Sequence, residues 1–276
     1  YLRPQTSKII LFCIFIVTTF NSFSQTSSTF YTADNGTAIN EFTVPTGVTQ
    51  LTVETWGAGG KGGNATLNNT RSGGGGGGAF ATSVINVTAG ETYTIYVGGG
   101  ATTTANGENS YIYLVSSTHL VEAGGGDSVA DNIQAGGAGG TVIIGTGYAG
   151  GTGGDGVGGG TRIAGGGGSS AGTGNIGTNG TTSGGIAPTG GGDGGDGVGD
   201  GNNGNSGLNP GGGGGGAARG NKGNYIGGNG ADGQVIIKWV SAIAEINVKG
   251  NSVSIPSTNT AISTVDDTDF GNVDVV

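Results

Sequence analysis

Hydrophobic and polar residues alternate with a period of two in several separate stretches of the chain. In residues 41–56, Leu51, Val53 and Thr55 fall on one face of a predicted strand, which follows a turn at 45–47. This alternation, together with the many β-branched and aromatic side chains, is typical of a half-buried β-strand. Similar stretches occur at 79–100, 110–123, 141–147 and 233–240.

The stretch 79–100 predicts a β-hairpin. Two alternating runs flank Ala89 and Gly90, and Tyr93 and Val97 share a face of the second run. Two such runs joined by a short glycine-containing turn favour a hairpin. No apolar period of 3.6 residues persists after the N-terminal segment, so we expect essentially no α-helix in the mature chain. The fold class predicted from these patterns is all-β.

Glycine makes up 69 of the 276 residues, against roughly 7% in average proteins. Much of it lies between predicted strands, at about 124–233, so this segment is an insertion into one β unit rather than a tail. Gly201, Gly204 and Gly207 illustrate a recurrence at every third residue. Three residues per turn is the polyproline II geometry, whose N–H and C=O groups all point outward. Because glycine has no side chain to separate neighbours, we predict that the tracts pack as a polyglycine II bundle bonded through the backbone.

In such a bundle, residues three positions apart line one edge of a helix. Asp193 and Asp196 would lie about 9 Å apart along an edge, from a rise of about 3.1 Å per residue. Tyr148 and Tyr225 also interrupt glycine-rich stretches, where they are either lids over the bundle or exposed contact residues. We take these four residues as the candidate binding surface.

The first 24 residues have the pattern of a signal peptide. Arg3 and Lys8 supply the positively charged region at the start of the leader, and the apolar run 9–17 follows. Small residues after this run predict cleavage before Gln25. The run is shorter than the roughly 20 residues that span a bilayer, so we predict a secreted or cell-surface protein without a membrane-spanning helix. The single cysteine, Cys13, lies in this leader, which leaves the mature chain without thiol chemistry.

Composition narrows the possible partners. The net charge is −9 and only 10% of residues are charged. An acidic chain repels phosphate backbones, so we expect no nucleic-acid partner. The composition does not indicate an oligomeric state.

These patterns divide the chain into a signal peptide at 1–24, a linker or first strand at 25–40 and one glycine-rich β domain at 41–240. Residues 241–276 would be a linker with unpaired strands, because about 30 residues cannot complete a sandwich of about 100. The chain starts without Met and stops without a turn, so we expect it to be part of a longer protein.

Four elements, in order, resemble the glycine-rich domain family of secreted and cell-surface proteins: "FTVPTGVTQLTVETWGAGGKGG", "GGGGGGAFATSVINVTAGETYTIYVGGG", "LVEAGGG" and "GGGGGGAARGNKGNYIGGNGADGQVIIKW". The resemblance covers roughly 42–240. The family itself is similar to the glycine-rich ectodomain region of the anaplastic lymphoma kinase receptor. It implies a jelly-roll-like β-sandwich with an inserted bundle of polyglycine II helices and brings no catalytic residues. In some phage tail-tip adhesins, distal loops of glycine-helix bundles contact receptors. The C-terminal "AEINVKGNSVSIPSTNTAISTVDDTDFGNVDV" resembles the start of an immunoglobulin-like choice-of-anchor domain of bacterial surface proteins.

A nine-residue pattern that occurs twice raises a calcium alternative. "GGTGGDGVG" and "GGDGGDGVG" both fit the GGxGxDxUx repeat of calcium-binding β-rolls. Asp155 and Asp196 would then supply hard oxygen ligands to Ca²⁺. Such sites form between consecutive repeats, whereas these copies stand about 40 residues apart, so the alternative interpretation is that both aspartates are solvated edge residues.

No catalytic constellation accompanies these features. His119 is the single histidine, and no GxGxxG pattern opens an amphipathic helix that would bind a phosphate. The sequence therefore predicts a non-catalytic structural or adhesion module of a longer bacterial surface protein, which presents loops to a glycan or protein receptor. Two alternatives stay open: a calcium-binding β-roll module, and an accessory domain of an extracellular enzyme whose catalytic domain lies elsewhere. Apart from Ca²⁺ in the first alternative, we expect no cofactor.

Overall fold

The computed structural model describes residues 25–32, 37–114, 118–158, 162–241, 245–248 and 253–256. These residues contain fourteen β-strands and no helix, so none of them forms a helix that could cross a membrane. The predicted signal peptide at 1–24 lies outside the described residues. The strands are β1 (Gln25–Thr32), β2 (Ala38–Thr43), β3 (Gln50–Trp56), β4 (Thr70–Arg71), β5 (Phe80–Asn86), β6 (Thr92–Val97), β7 (Ser110–Tyr113), β8 (His119–Ala123), β9 (Val142–Ile144), β10 (Thr146–Tyr148), β11 (Ala218–Arg219), β12 (Gln234–Ser241), β13 (Glu245–Val248) and β14 (Val253–Pro256).

Ten of the strands form two five-stranded sheets, with the orders β1-β12-β3-β5-β10 and β2-β6-β7-β8-β9. β3 and β5 of the first sheet lie against β8 of the second, and β12 lies against β6. The two sheets therefore enclose one hydrophobic core between their inner faces, as in a β-sandwich. The largest fully buried side chains of this core are Val48, Leu51, Val53, Tyr93, Ile95, Val97, Ile112, Val121, Val235 and Ile237.

The alternation in the sequence decides which side chains enter this core. Leu51, Val53 and Thr55 of β3 are all fully buried, and so are Ile95 and Val97 on the opposing sheet. The Thr55 hydroxyl donates a hydrogen bond to a backbone carbonyl of β5 at 3.3 Å, which satisfies its polar group inside the core. The predicted all-β fold class is confirmed, and the jelly-roll connection pattern stays a prediction.

The predicted hairpin at 79–100 is wrong. β5 pairs with β3 and β10, whereas β6 pairs with β2 and β7, so the two strands belong to opposite sheets. The turn lies where the sequence places it, because Gly90 adopts a φ of 87°. The segment 87–91 carries the chain from the first sheet to the second. The apolar face of β6 is then buried because it faces the first sheet across the core.

The stretch 141–147 likewise contains two strands instead of one. Gly145 has a φ of 109°, a conformation that other residues rarely adopt. The chain turns there from β9 in the second sheet into β10 in the first. A single glycine thus divides an apparently continuous apolar run between the two layers.

The glycine-rich segments form a regular body of their own, bonded from backbone to backbone. The tract 72–79 shows the pattern most clearly. Gly75 and Gly78 donate hydrogen bonds to the carbonyls of Gly214 and Gly211, both at 2.8 Å. The N–H groups between them donate to two other tracts, so each neighbour is contacted once every three residues.

Six tracts surround this central tract, and each is bonded to the next. In order around 72–79 they are 57–63, 124–129, 137–140, 150–154, 165–171 and 211–217, and the last is bonded back to the first. Each central backbone group has a partner in one of these six tracts, except the N–H of Gly73, which donates to Ile133, and the central tract is buried throughout. The packing leaves no room for a side chain, because a Cβ added to Gly76 would lie 1.9 Å from the carbonyl oxygen of Ala138.

The bundle extends beyond the insertion predicted at 124–233. The tract 57–63 continues directly from β3, and the central tract leads directly into β5. Further tracts enlarge the bundle on one side, at 177–180, 184–187, 192–198, 204–208 and 226–231. The polyglycine II conformation of each tract stays a prediction, although hydrogen bonds that recur every third residue are what this conformation requires.

Trp56 joins the bundle to the sandwich. Its side chain is 1% exposed and packs in a separate apolar cluster with Phe80, Ala171 and Ile236. The ring centroids of Trp56 and Phe80 are 4.7 Å apart, and the indole N–H donates to the carbonyl oxygen of Ala171 at 3.0 Å. Trp56, the last residue of β3, is therefore bonded to the tract 165–171, one of the six that surround the central tract.

β13 and β14 form an antiparallel hairpin, with Glu245 opposite Pro256 and Val248 opposite Val253. The hairpin belongs to a compact unit separate from 26–242. The prediction of unpaired strands in 241–276 is therefore wrong for these two strands, because each supplies the other's hydrogen-bond partners. The remaining residues of that segment lie outside the described ones.

Candidate binding surface

Short loops close the end of the bundle that is farthest from the sandwich. The central tract begins there and ends beside β5. β4 pairs with β11 at this end, and Ala65 exchanges backbone hydrogen bonds with Tyr225 at 2.9 and 3.0 Å. Asn132 Oδ1 accepts from the N–H groups of Thr66 and Leu67, which links a third loop to the others. We call this region the distal surface, and it comprises 64–71, 130–135, 155–158, 162–163, 199–203 and 217–226.

All three arginines of the described residues lie on the distal surface. Arg162 forms an ion pair with Asp200 at 3.0 Å and donates to Asn69 Oδ1 at 2.6 Å. Arg219 donates to Asn224 Oδ1 at 3.0 Å and to a backbone carbonyl of the adjacent loop. The third arginine is Arg71 on β4, which lies close to Arg219 because β4 pairs with β11.

Two of these guanidinium groups are incompletely hydrogen-bonded. The Nε atoms of Arg71 and Arg219 are buried and have no hydrogen-bond partner among the described residues. The guanidinium of Arg71 lies over the backbone at Gly158. Buried polar groups nearly always have a partner, and a guanidinium offers five donors in a fork that matches planar oxyanions. Because both Nε atoms are buried, only the terminal nitrogens of these guanidinium groups could reach an acidic group on a partner.

The charge of the distal surface differs from that of the rest of the chain. Lys222 and the three arginines give it four cationic side chains against three carboxylates, whereas the whole chain carries a net charge of −9. Leu67 and Ile226 are 63% and 58% exposed there, so apolar contact area is available beside the cations. The three carboxylates are Asp131, Asp155 and Asp200.

The structure separates the two tyrosines that the sequence singled out. Tyr225 lies on the distal surface, is partly buried, and places its hydroxyl against the backbone of Gly201 and Gly223. Tyr148 lies on β10, where it pairs with Phe80 of β5 and is 37% exposed. Of the two roles left open by the sequence, Tyr225 fits a lid over the bundle and Tyr148 fits an exposed residue.

Asp193 and Asp196 lie along one edge of the tract 192–198, as the three-residue repeat predicts. Asp193 Oδ1 accepts a hydrogen bond from the N–H of Ala187 at 2.6 Å, and Asp196 Oδ1 accepts one from the N–H of Gly184 at 2.9 Å. Both carboxylates therefore serve as acceptors for a neighbouring backbone. They lie on a side of the bundle and not in the loops of the distal surface.

Asp155 has the same role, since its Oδ1 accepts from the N–H of Gly136 at 2.9 Å. Asn203 Oδ1 similarly accepts from the N–H of Ile226 at 2.8 Å. A tract at the outside of the bundle lacks a neighbouring carbonyl on one side, and a short polar side chain supplies the missing acceptor. Asp, Asn and Ser residues that interrupt glycine runs are the sequence signal of this arrangement.

The described residues contain no group of three His, Cys, Asp or Glu side chains placed to hold a metal ion. The two nonapeptide copies, 150–158 and 191–199, contain the tracts 150–154 and 192–198, and both tracts are bonded to the tract 165–171 between them. Consecutive repeats of a β-roll would instead stack directly on each other. Calcium binding at Asp155 or Asp196 stays a prediction.

The outer face of the second sheet carries a row of stacked rings that the sequence analysis missed. Tyr96 and Tyr111 stack with centroids 4.6 Å apart and an interplanar angle of 3°, and Tyr111 stacks on His119 at 3.8 Å. The register of β6 and β7 places Tyr96 directly opposite Tyr111, and this register is not apparent in the sequence. His119 Nδ1 lies 2.6 Å from Glu122 Oε2, so the lone histidine is held between a ring and a carboxylate.

Glu108 links this row to the neighbouring backbone. Its Oε2 accepts hydrogen bonds from the Tyr96 hydroxyl at 3.2 Å, from the N–H of Gly99 at 3.1 Å and from the Thr37 hydroxyl. Burial alone would raise the pKa of Glu108, but these three hydrogen bonds together hold it below its usual value. Because the rings stack on one another and the carboxylate is engaged, the row stabilises the sheet.

Comparison with known proteins identifies the family. The profile of the glycine-rich domain family matches residues 32–240, which run from the last residue of β1 to the penultimate residue of β12. A search of curated proteins finds no match. The matched region contains the second sheet, β3, β5, β10 and nearly all of β12 from the first sheet, and every tract of the bundle. The chain therefore belongs to the glycine-rich domain family.

Proposed function

We propose that this protein is a non-catalytic surface module in which the glycine bundle supports the distal surface and presents it to a partner. The observation that carries the proposal is the closed ring of six tracts around 72–79, bonded at every third residue. A backbone engaged on all sides bends only if several hydrogen bonds break together, so the bundle is stiff. The distal loops would stand on the order of 20 Å from the sandwich, at about 3.1 Å per residue.

Export to the cell surface is part of this proposal. The leader pattern at 1–24 supports secretion with Gln25 as the first mature residue. The glycine-rich region resembles part of the anaplastic lymphoma kinase ectodomain, which supports a place outside the cell. Residues 244–275 resemble the start of an immunoglobulin-like choice-of-anchor domain, which supports a place in a longer bacterial surface protein. In that protein the module would have a structural or adhesive role.

The partner that best fits the distal surface is a glycan or protein receptor that carries acidic groups. Three arginines and Lys222 lie together there, and the two terminal nitrogens of a guanidinium can bind a carboxylate through two parallel hydrogen bonds. Leu67 adds exposed apolar area, and Tyr225 adds part of an aromatic ring. Arginine and tyrosine are enriched among the residues that dominate binding energy at protein interfaces.

A binding screen of the full chain against whole cells, neutral glycans and uronate-containing glycans tests this proposal. We expect binding to cells or uronate-containing glycans that weakens as ionic strength rises, because exposed charges are screened by salt. Lys222→Gln removes one positive charge from the distal surface, and Lys238→Gln removes one from the sandwich together with an ion pair to Glu54 at 2.6 Å, so both variants are first shown to fold by thermal melting. Only the first should weaken binding. Equal weakening by both variants contradicts a contact at the distal surface, and no binding at all contradicts the adhesive role.

A further inference from the structure

Lys61 is a buried lysine that the proposed function does not use. Its side chain belongs to the tract 57–63, and the residue is only 4% exposed. Burial lowers the pKa of Lys61 from its usual value, and the nearby Asp131 opposes this with a smaller effect. A buried lysine of this kind has a larger neutral, nucleophilic fraction than an exposed one.

The ammonium group of Lys61 lies against the side-chain amide of Asn64. Nζ donates to Asn64 Oδ1 at 2.6 Å and to the carbonyl oxygen of Gly62 at 3.0 Å. In an extended tract with a rise of about 3.1 Å per residue, the two Cα atoms are about 9 Å apart. A lysine and an asparagine side chain joined end to end span that distance without strain. In an α-helix the same pair would be too close for an extended lysine side chain.

The side-chain amide of Asn64 is polarised at both of its ends. Its Oδ1 accepts a second hydrogen bond from the N–H of Gly227 at 2.9 Å, and its Nδ2 donates to Asp131 Oδ1 at 2.7 Å. Donors aimed at a carbonyl oxygen stabilise the negative charge that develops there when a nucleophile attacks the carbon. Asp131 lies at the nitrogen that would leave, where a carboxylate can carry protons. A nucleophile, an oxyanion donor and a proton carrier therefore meet at one amide carbon.

We propose that Lys61 and Asn64 form an intramolecular amide bond. The bond between Nζ and Cγ forms, and the bond between Cγ and Nδ2 breaks. Two protons of the Lys61 ammonium pass to Nδ2 by way of the Asp131 carboxylate, and the nitrogen leaves as ammonium. The reaction needs no oxidant, cofactor or other reactant. The bond would fix the point where the tract 57–63 enters the distal loops, and this inference does not depend on the proposed binding function.

Mass spectrometry of the denatured full chain tests the proposal. We expect a mass lower than that of the unmodified chain by one ammonia. Trypsin does not cleave after an acylated lysine, so the tryptic peptide that ends at Arg71 should contain Lys61 and Gly62 uncut and carry the mass loss. A chain that keeps its full mass after long incubation at mildly alkaline pH, and that trypsin cuts after Lys61, overturns the proposal.

A succinimide at an Asn-Gly pair such as Asn106-Gly107 loses the same mass, so it must be distinguished. Hydroxylamine cleaves a succinimide and leaves a lysine amide intact, and the tryptic map locates the change. A mass loss that hydroxylamine removes, or that maps outside 61–64, counts against the proposal.

Variants with matched controls separate the reaction from a purely structural role of the cluster. Lys61→Arg keeps the positive charge but removes the nucleophile, so its tryptic peptide 62–71, which contains Asn64, should keep its full mass. Asp131→Asn keeps the side-chain volume but removes the proton carrier, so the bond should form more slowly. Asp127→Asn, a neighbouring carboxylate that accepts from Asn106 at 2.5 Å, should react like the wild type. If Lys61→Arg also shows the loss within the peptide that spans Asn64, the assignment of Lys61 as the nucleophile is wrong.

Discussion

The carboxylate of Asp196 accepts a hydrogen bond from the backbone N–H of Gly184 at 2.9 Å. Asp193, three residues earlier, has the same relationship with Ala187 at 2.6 Å. On this outer side, side chains spaced by three residues continue the ladder of bonds that glycine backbones form inside the bundle. The polar residues that interrupt the glycine runs therefore have a structural task whether or not a ligand reaches them.

Replacing Asp196 tests this role. Asp196→Ala removes the acceptor for the N–H of Gly184 and should lower the free energy of unfolding by about 1 kcal/mol, the usual net value of one hydrogen bond. Asp196→Asn keeps a carbonyl oxygen at the same place and should cost less. Denaturant unfolding of both variants measures the difference. Equal losses in the two variants would show that the negative charge, and not the acceptor oxygen, stabilises this edge.

Calcium provides an independent check on the same carboxylates. Asp155 and Asp196 each accept a backbone hydrogen bond, and the tracts 150–154 and 192–198 of their two nonapeptides are separated by a third tract. We expect millimolar Ca²⁺ to leave the melting temperature of the full chain unchanged. An ion that bound the folded state would raise the melting temperature by mass action, so this measurement detects binding. A saturable rise in melting temperature that Asp155→Asn abolishes would favour the calcium-binding alternative.

Substitution of a central glycine should be far more damaging than substitution at the rim. A Cβ at Gly76 would lie 1.9 Å from the carbonyl oxygen of Ala138, and six tracts prevent the backbone from shifting. Gly76→Ala should therefore prevent the bundle from forming, and the melting transition should be lost or greatly lowered. Gly174→Ala is the matched control, because nothing lies within 4 Å of a Cβ at that position. It should be neutral or stabilising by up to about 1 kcal/mol, and a similar loss in both variants would contradict the packing described above.

Amide hydrogen exchange should rank the tracts by their position in the bundle. The N–H groups of 72–79 are buried, and all of them donate to a neighbouring tract except that of Gly73, which donates to Ile133 in a distal loop. We expect them to exchange only through global unfolding, whereas outer N–H groups such as that of Gly184 exchange through local opening. Exchange measured by NMR or mass spectrometry checks this order. Rapid exchange throughout 72–79 would show that the bundle does not exist in solution.

Glu108 should make the stability of the protein sensitive to acid. Its hydrogen bonds from Thr37, Gly99 and Tyr96 hold its pKa below the usual 4.5. A carboxyl group with a lowered folded-state pKa stabilises the fold at pH values above the unfolded-state pKa, and this contribution is lost as the pH falls through the folded-state pKa. Melting temperatures measured from neutral pH to below 4.5 should therefore fall more steeply for the wild type than for Glu108→Gln.

Repeating both pH series at high ionic strength controls for the change in net charge, because salt screens repulsion between exposed charges but leaves these short hydrogen bonds in place. The difference between the two curves should persist. Parallel curves for the wild type and Glu108→Gln would contradict the role given to the three hydrogen bonds.

Local pattern alone determined which residues form the sandwich faces and that the glycine tracts would bond to one another. Leu51, Val53 and Thr55 are buried together because successive side chains of a strand point to opposite faces, whatever sheet the strand joins. Bonding between glycine tracts followed from the three-residue repeat, because a chain of that period without side chains leaves its backbone groups free for neighbours.

Only the tertiary structure decided which strands and tracts become neighbours. It placed β5 and β6 in opposite sheets, set Tyr96 opposite Tyr111, and put 72–79 at the centre of the ring. It also gathered three arginines from distant parts of the chain at the distal surface. These relationships depend on contacts between segments that are far apart in the chain. Glycine tracts carry almost no side chains that distinguish one tract from another, so their order in the bundle is set by where the strands and loops begin and end each tract.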